Sequence, residues 1–254
     1  MSLHVKQFSC LEPLLILHGL FGSSDNWLSI ARYLEKHFHV VLVDLPNHGA
    51  SDWVADMSYP NLARALHQQL ISLGLKKVSV VGHSLGGKVL MQLCADFPDF
   101  IQKAVILDIA PKHYPRHHDA IFEALLALPI DQIQSRQDGV SFLMDRLQDR
   151  ALVSFLTKNL MRSSEGFRWR FNLRGLYAGY ADILLSPDLP TSFSAPTLLM
   201  RGACSDYVSE EDFDVLRHHF KTISFQTIDG AGHWLHADQR EAFLASVNAF
   251  LMRS

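Results

Sequence analysis

Between residues 13 and 108 this chain alternates short, largely apolar runs with longer amphipathic ones, and few folds tolerate that pattern. Leu14-Leu15-Ile16-Leu17, Val40-Val41-Leu42-Val43, Val78-Ser79-Val80-Val81 and Ala104-Val105-Ile106-Leu107 are too short for buried helices and are bounded by Gly, Asp or Pro. Runs with no polar face read as strands covered on both sides, which is the environment of a parallel sheet. Between them, Asp25 to Lys36 places Trp27, Ile30, Ala31 and Leu34 on one helical face. Pro60 to Leu73 opens with a proline suited to a first helical turn and is followed by Gly74. The fold class is therefore α/β, a mostly parallel central sheet flanked by helices.

The pattern breaks after Asp108. From Pro111 to about Pro190 the sequence reads as helical or irregular, with no strand. Strands resume at Pro196-Thr197-Leu198-Leu199-Met200 and Thr222-Ile223-Ser224-Phe225-Gln226. Ser209 with Asp212 starts a helix between them in capping-box fashion. A last helix from about Gln239 to Met252 is expected to bury Phe243, Leu244, Val247, Phe250 and Leu251. The chain thus divides into a core of residues 1–110 and 191–254, with an all-helical cap of 111–190 inserted over the sheet's carboxyl edge.

Composition narrows the function. A formal charge of −3, from 23 Lys+Arg against 26 Asp+Glu, gives no broad basic surface for nucleic acid. Cys10, Cys94 and Cys204 are odd in number and far apart, so neither a disulfide framework nor a zinc site is expected, and buried apolar roles are. The first residues do not read as a signal peptide, and no run approaches the roughly 18 apolar residues of a membrane span, so a cytoplasmic protein is expected.

The chemistry concentrates around Gly82-His83-Ser84-Leu85-Gly86-Gly87, placed directly after one strand and before the helix of Val89, Leu90, Leu93 and Cys94. A G-x-S-x-G turn between strand and helix raises the serine hydroxyl above the sheet at the positive end of a helix. That hydroxyl needs a base to take its proton. Of fourteen histidines, His233 in Gly230-Ala231-Gly232-His233-Trp234 fits best, because it follows the last strand in a glycine-rich loop. His236 is its local rival. His18, at a strand end, suits a structural role, and the adjacent pairs His117-His118 and His218-His219 are expected to point apart and make poor metal pairs.

The acid should fall between the serine and the histidine. Asp108 ends the strand after the serine's, and Asp206 lies in the loop after Leu198-Met200. Counting from Gly202 to Val208, the slot usual for an acid holds Ser205, with Asp206 one position beyond. Asp108 is favoured as the acid, with Ser205 supporting it, and Asp206 is the alternative. The oxyanion hole is expected from backbone N–H groups of Leu85 and Leu20, with Phe21 in reserve.

Taken together, His18-Gly19-Leu20-Phe21-Gly22, Asp44-Leu45-Pro46-Asn47-His48-Gly49-Ala50-Ser51, Gly82-His83-Ser84-Leu85-Gly86-Gly87-Lys88, Asp108-Ile109-Ala110-Pro111 and Gly230-Ala231-Gly232-His233-Trp234 resemble the YbfF-type bacterial esterases of the α/β-hydrolase superfamily. The resemblance extends to Trp169-Arg170-Phe171-Asn172 in the cap and to Cys204-Ser205-Asp206-Tyr207-Val208-Ser209-Glu210. It implies the α/β-hydrolase fold, activity on short acyl esters and binding of acyl-CoA thioesters. It also implies a site of Ser84, His233, an aspartate at Asp108 and a serine at Ser205.

Residues 111–190 hold 10 Lys+Arg and 9 Asp+Glu, and the remainder 13 and 17, so the cap is the more basic part. Lys112 and Arg116 could meet an anionic substrate there, with Phe21 and Trp234 shaping the pocket, although a solvated polar face would look the same. The expected reaction is serine-dependent hydrolysis of a small acyl ester or thioester, needing no metal or organic cofactor. The rivals are carbon–carbon bond hydrolysis or acyl transfer on the same fold, or a ligand-binding protein without catalysis.

Overall fold

The structure is a computed structural model that describes residues 1–8, 11–164, 166–189 and 192–253. Cys10 and the expected boundary at 190–191 lie outside the described residues.

In the first half, five strands, β1 (Val5–Phe8), β2 (Pro13–Leu17), β3 (His39–Val43), β4 (Val78–His83) and β5 (Ile101–Leu107), alternate with helices α1 (Leu28–Leu34), α2 (Tyr59–Ser72) and α3 (Leu85–Asp96). A short 3-10 turn, Ser24–Trp27, precedes α1. Between β5 and the next sheet strand lie α4 (Asp119–Ala127), α5 (Arg136–Leu147), α6 (Arg150–Thr157), α7 (Leu173–Ala178) and α8 (Tyr180–Leu184). That segment also holds two strands, β6 (Leu160–Ser163) and β7 (Gly166–Trp169). The chain closes with β8 (Thr197–Gly202), α9 (Glu211–His219), β9 (Ile223–Ile228), α10 (Leu235–Asp238) and α11 (Arg240–Met252).

The sheet has seven strands in the order β1-β3-β2-β4-β5-β8-β9. All its neighbours pair in parallel except β1, which runs antiparallel to β3 at the edge. Successive residues of each central strand feed opposite faces, as the two-residue period of a strand requires. Leu15, Leu17, Val41, Val43, Val80 and Ile106 pack with α2, α3 and the cap. Leu14, Ile16, Val40, Leu42, Val81 and Val105 pack with Trp27, Ile30, Leu34, Phe243 and Val247. Both faces of the central strands are therefore covered, and their buried stretches are largely apolar. In the last helix Phe250 is only half-buried, while the other four expected core residues are buried.

The cap is not wholly helical. β6 and β7 form an antiparallel hairpin, Leu160 opposite Trp169 and Arg162 opposite Phe167, with Gly166 at a φ of 116°. Leu160 is buried and Arg162, two residues on, is exposed, so these four-residue strands carrying Arg162 and Arg168 show none of the period-two alternation by which a strand is read from sequence. The cap is tied to the core at its two ends. Lys88 on α3, buried, donates from Nζ to the carbonyls of Lys112 (3.0 Å), Leu184 (3.2 Å) and Leu185 (2.7 Å). Tyr59 Oη donates to the Ile183 carbonyl at 2.6 Å.

Candidate active site

Ser84 caps α3 with φ 53° and ψ −117°, a conformation costly for any residue with a side chain. The bend is held by packing that no larger residue would allow. A Cβ on Gly82 would stand 2.4 Å from the Gly86 carbonyl oxygen, and one on Gly86 would stand 2.7 Å from the His18 carbonyl oxygen. Strand β4 delivers the serine and the Ser84 N–H donates to the Leu107 carbonyl at 3.1 Å, which anchors the turn to β5.

Asp108, one residue past the end of β5, is fully buried and also has a positive φ, 48°. Its carboxylate is enclosed by donors. Gly202 N–H reaches Oδ1 at 3.0 Å, while His233 Nδ1 at 2.7 Å and the Ser205 hydroxyl both reach Oδ2. With Nδ1–H donated to Asp108, the lone pair of a neutral His233 is left on Nε2, the tautomer a base requires. The structure brings Asp108, Ser205 and His233 together. Asp206 is exposed, and among the described hydrogen bonds none joins it to His233.

Ser84 and His233 line one cavity of about 620 Å³, together with Leu20, Phe21, His118, Phe155, Tyr207 and Trp234. Ser84 also lines a second pocket, of about 30 Å³, together with Leu20, Leu85, Ile109, Tyr114 and Ile183. The loop of His233 is tied to the serine's neighbour, because His83 Nε2 bonds the His233 carbonyl at 2.8 Å. Burial, then the neighbouring His233, holds His83 well below the usual imidazole range, so it stays neutral. The rival His236 stacks on Trp27 at a centroid distance of 4.1 Å, and burial pulls it down to about 3.

The two oxyanion candidates differ from their reserve. Among the described hydrogen bonds neither Leu20 N–H nor Leu85 N–H donates to another group, and Leu85 opens α3, where an N–H has no partner within the helix. The Phe21 N–H is occupied, donating to His48 Nε2 at 3.2 Å. His18 is structural, as its place in the sequence suggests. Its Nδ1–H donates to the Gly19 carbonyl (2.8 Å) and its Nε2 accepts from Leu45 N–H (3.0 Å).

Other expectations are corrected. Lys112 pairs with Asp212 at 2.6 Å and Arg116 with Asp119 at 2.5 Å, and neither lines either cavity. Phe21 and Trp234 do line the larger one. His117 and His118 do not point apart. Their rings lie 4.0 Å from each other, and both Nε2 atoms reach Tyr207 Oη, at 2.9 and 3.4 Å. Cys204 is exposed where a buried residue was expected, and Cys94 is buried. Among the described residues no cluster suited to a metal occurs, and no helix is long and apolar enough to cross a membrane.

Sequence reasoning missed Tyr207. Its ring stacks on His233 at 3.8 Å and 16°, its N–H donates to Ser205 Oγ (3.3 Å), and its hydroxyl meets the cap histidines. The signal lay in its position two residues past Ser205, but only the fold shows which ring it covers.

Residues 12–239 match the alpha/beta hydrolase fold family. Esterase YbfF of Escherichia coli is 36% identical over 241 residues, covering 94% of this chain and 93% of that protein. The sn-1-specific diacylglycerol lipase ABHD11 of Danio rerio is 32% identical, covering 94% of this chain and 78% of that protein. A solved structure, a marine microorganism esterase, superposes with a TM-score of 0.95 at 34% identity, covering 98% of this chain and 99% of the other. With sequence and overall structure in agreement over nearly its whole length, this chain belongs to the α/β-hydrolase family and, within it, to the ester-hydrolysing YbfF type.

Proposed function

We propose that this protein is a serine carboxylesterase that hydrolyses short acyl esters or acyl-CoA thioesters through an acyl-enzyme. The observation that carries the reading is the convergence of His233 Nδ1 (2.7 Å) and the Ser205 hydroxyl on one buried carboxylate, Asp108, beside the strained turn of Ser84. Ser84 Oγ attacks the acyl carbonyl as its proton passes to His233 Nε2. The N–H groups of Leu20 and Leu85 take the oxyanion, an arrangement in which each donor is worth about 10²–10³ in turnover. Asp108 stabilises the imidazolium and holds its tautomer. The leaving alcohol or thiol departs with the proton from His233. Water then adds to the acyl-enzyme, giving its proton to the same nitrogen, and the acid is released with Ser84 restored.

The small pocket of about 30 Å³ beside Ser84 and Leu85 suits a short acyl chain, and the cavity of about 620 Å³ suits a bulky leaving group. A series of p-nitrophenyl esters from acetate to decanoate, run beside acetyl- and butyryl-CoA, tests this. Short chains should give the highest kcat/KM; a maximum at decanoate would overturn the substrate assignment.

A further inference from the structure

The loop expected to carry the oxyanion donor is strained at its centre. Gly22 N–H donates to the Gly19 carbonyl at 3.0 Å, closing a turn whose central residues are Leu20 and Phe21. Phe21 occupies its third position with a φ of 59°, where glycine is the usual residue and a side chain costs free energy. Relief of that strain requires the φ of Phe21 to turn, and with Gly22 N–H bonded back to the Gly19 carbonyl the rotation must be shared by the neighbouring torsions, those of Leu20 included, which re-aims the Leu20 N–H.

Phe21 is gripped from both sides against that relaxation. On the core side its N–H donates to His48 Nε2 at 3.2 Å, and His48 in turn donates Nδ1–H to the Pro46 carbonyl at 2.9 Å. Burial and the neighbouring His18 pull His48 down to about 3, so it remains a neutral acceptor at working pH. On the cap side the Phe21 carbonyl accepts from Asn159 Nδ2 at 2.8 Å. The ring, 2% exposed, meets Phe122 at 5.0 Å and Phe171 at 5.4 Å, both cap residues.

Asn159 is itself fixed where α6 gives way to β6. Its N–H donates to the Leu156 carbonyl (3.0 Å), and its own carbonyl accepts from Arg170 N–H (2.8 Å). It is 2% exposed and lines neither cavity, so it does not touch substrate.

We propose that Asn159 is a positioning residue for the oxyanion hole: by holding the Phe21 carbonyl it keeps the strained turn from relaxing and the Leu20 N–H aimed at the reacting oxygen. The cap then contributes to transition-state stabilisation as well as enclosing substrate. This rests on the assignment of Leu20 and Leu85 as oxyanion donors and Ser84 as nucleophile.

The test uses Asn159→Asp, which keeps the shape but replaces the donor with an oxygen, and Asn159→Ser, which carries the test if the first variant fails to fold by circular dichroism. Each is assayed on p-nitrophenyl butyrate and with a trifluoromethyl ketone, whose adduct with Ser84 places an oxyanion in the hole. The expected result is a fall in kcat of about 10- to 100-fold, a KM within about twofold of the parent, and a weakening of the ketone equal to the loss in kcat/KM. A kcat and ketone affinity within about twofold of the parent, or a raised KM with kcat preserved, overturns the proposal. Ser84→Ala separates the two levels: turnover retained there sinks the nucleophile assignment itself, whereas a dead Ser84→Ala beside fully active Asn159 variants sinks only the positioning role.

Discussion

The core and the cap are built on different principles. In the core, position comes from backbone: Ser84 from the end of β4, Asp108 from the end of β5, and His233 from the loop after β9, all on one sheet whose central strands are buried on both faces. In the cap, position comes from side chains that reach across: Lys88 to the carbonyls at its two ends, Asn159 to the oxyanion loop, and His117 and His118 to Tyr207. Backbone placement leaves strong local patterns in a sequence. Side-chain placement leaves pairs of residues far apart in the chain, Lys88 and Leu185 or Phe21 and Asn159, with nothing between them to announce the contact.

The comparison is sharpened most by the acid. Asp108→Asn should cut kcat by about 10³–10⁴-fold, because the amide no longer favours the Nε2-basic tautomer, while Asp206→Asn should stay close to the parent. Steady-state assay of the pair decides it, and the larger loss at Asp206 would break the picture of a backbone-set core.

A smaller effect is expected where the cap is tied down. Lys88→Met leaves three carbonyls without their donor and should cost about 1–3 kcal/mol of stability, read by urea denaturation. Its Tm should fall with circular dichroism of the folded state unchanged. A variant as stable as the parent would show that the Lys88 bonds do not hold the cap.

A further effect is graded by pH. His48, His118 and His236 are each held at about 3 by burial, whereas an unfolded chain takes up those protons near 6.5. Between those values the unfolded state binds more protons, so stability should fall as pH drops from 6.5 towards 3. His236→Phe removes a ring whose Nδ1 has no partner among the described residues, and it should flatten that slope. Thermal melts across the window check both, and a Tm indifferent to pH there would contradict the neutral, buried state of these rings.

How much of this could be read from the chain follows the same division. The five inner strands announce themselves as short, largely apolar runs, because parallel strands covered on both faces carry little else. The edge strands signal less: Val5–Phe8 carries Lys6 and Gln7, Ile223–Ile228 carries Ser224, Gln226 and Thr227, and each pairs on one side only. The serine turn is legible because Gly82 and Gly86 have no room for a Cβ, which ties sequence directly to geometry. Lys112 and Arg116 were expected at the substrate because they follow the end of β5; Asp212 and Asp119 engage them instead. The β6–β7 hairpin, the stacking of Tyr207 on His233 and the grip on Phe21 all depend on neighbours distant in sequence, and no periodicity encodes them.

What most directly tests the account is rapid-quench mass spectrometry of the enzyme mixed with p-nitrophenyl acetate. One acetyl group per chain should appear on Ser84 within the burst of p-nitrophenol and then decay at the steady-state rate. Turnover with no acetyl on Ser84, or with the label on Cys204 and undiminished in Ser84→Ala, would contradict it.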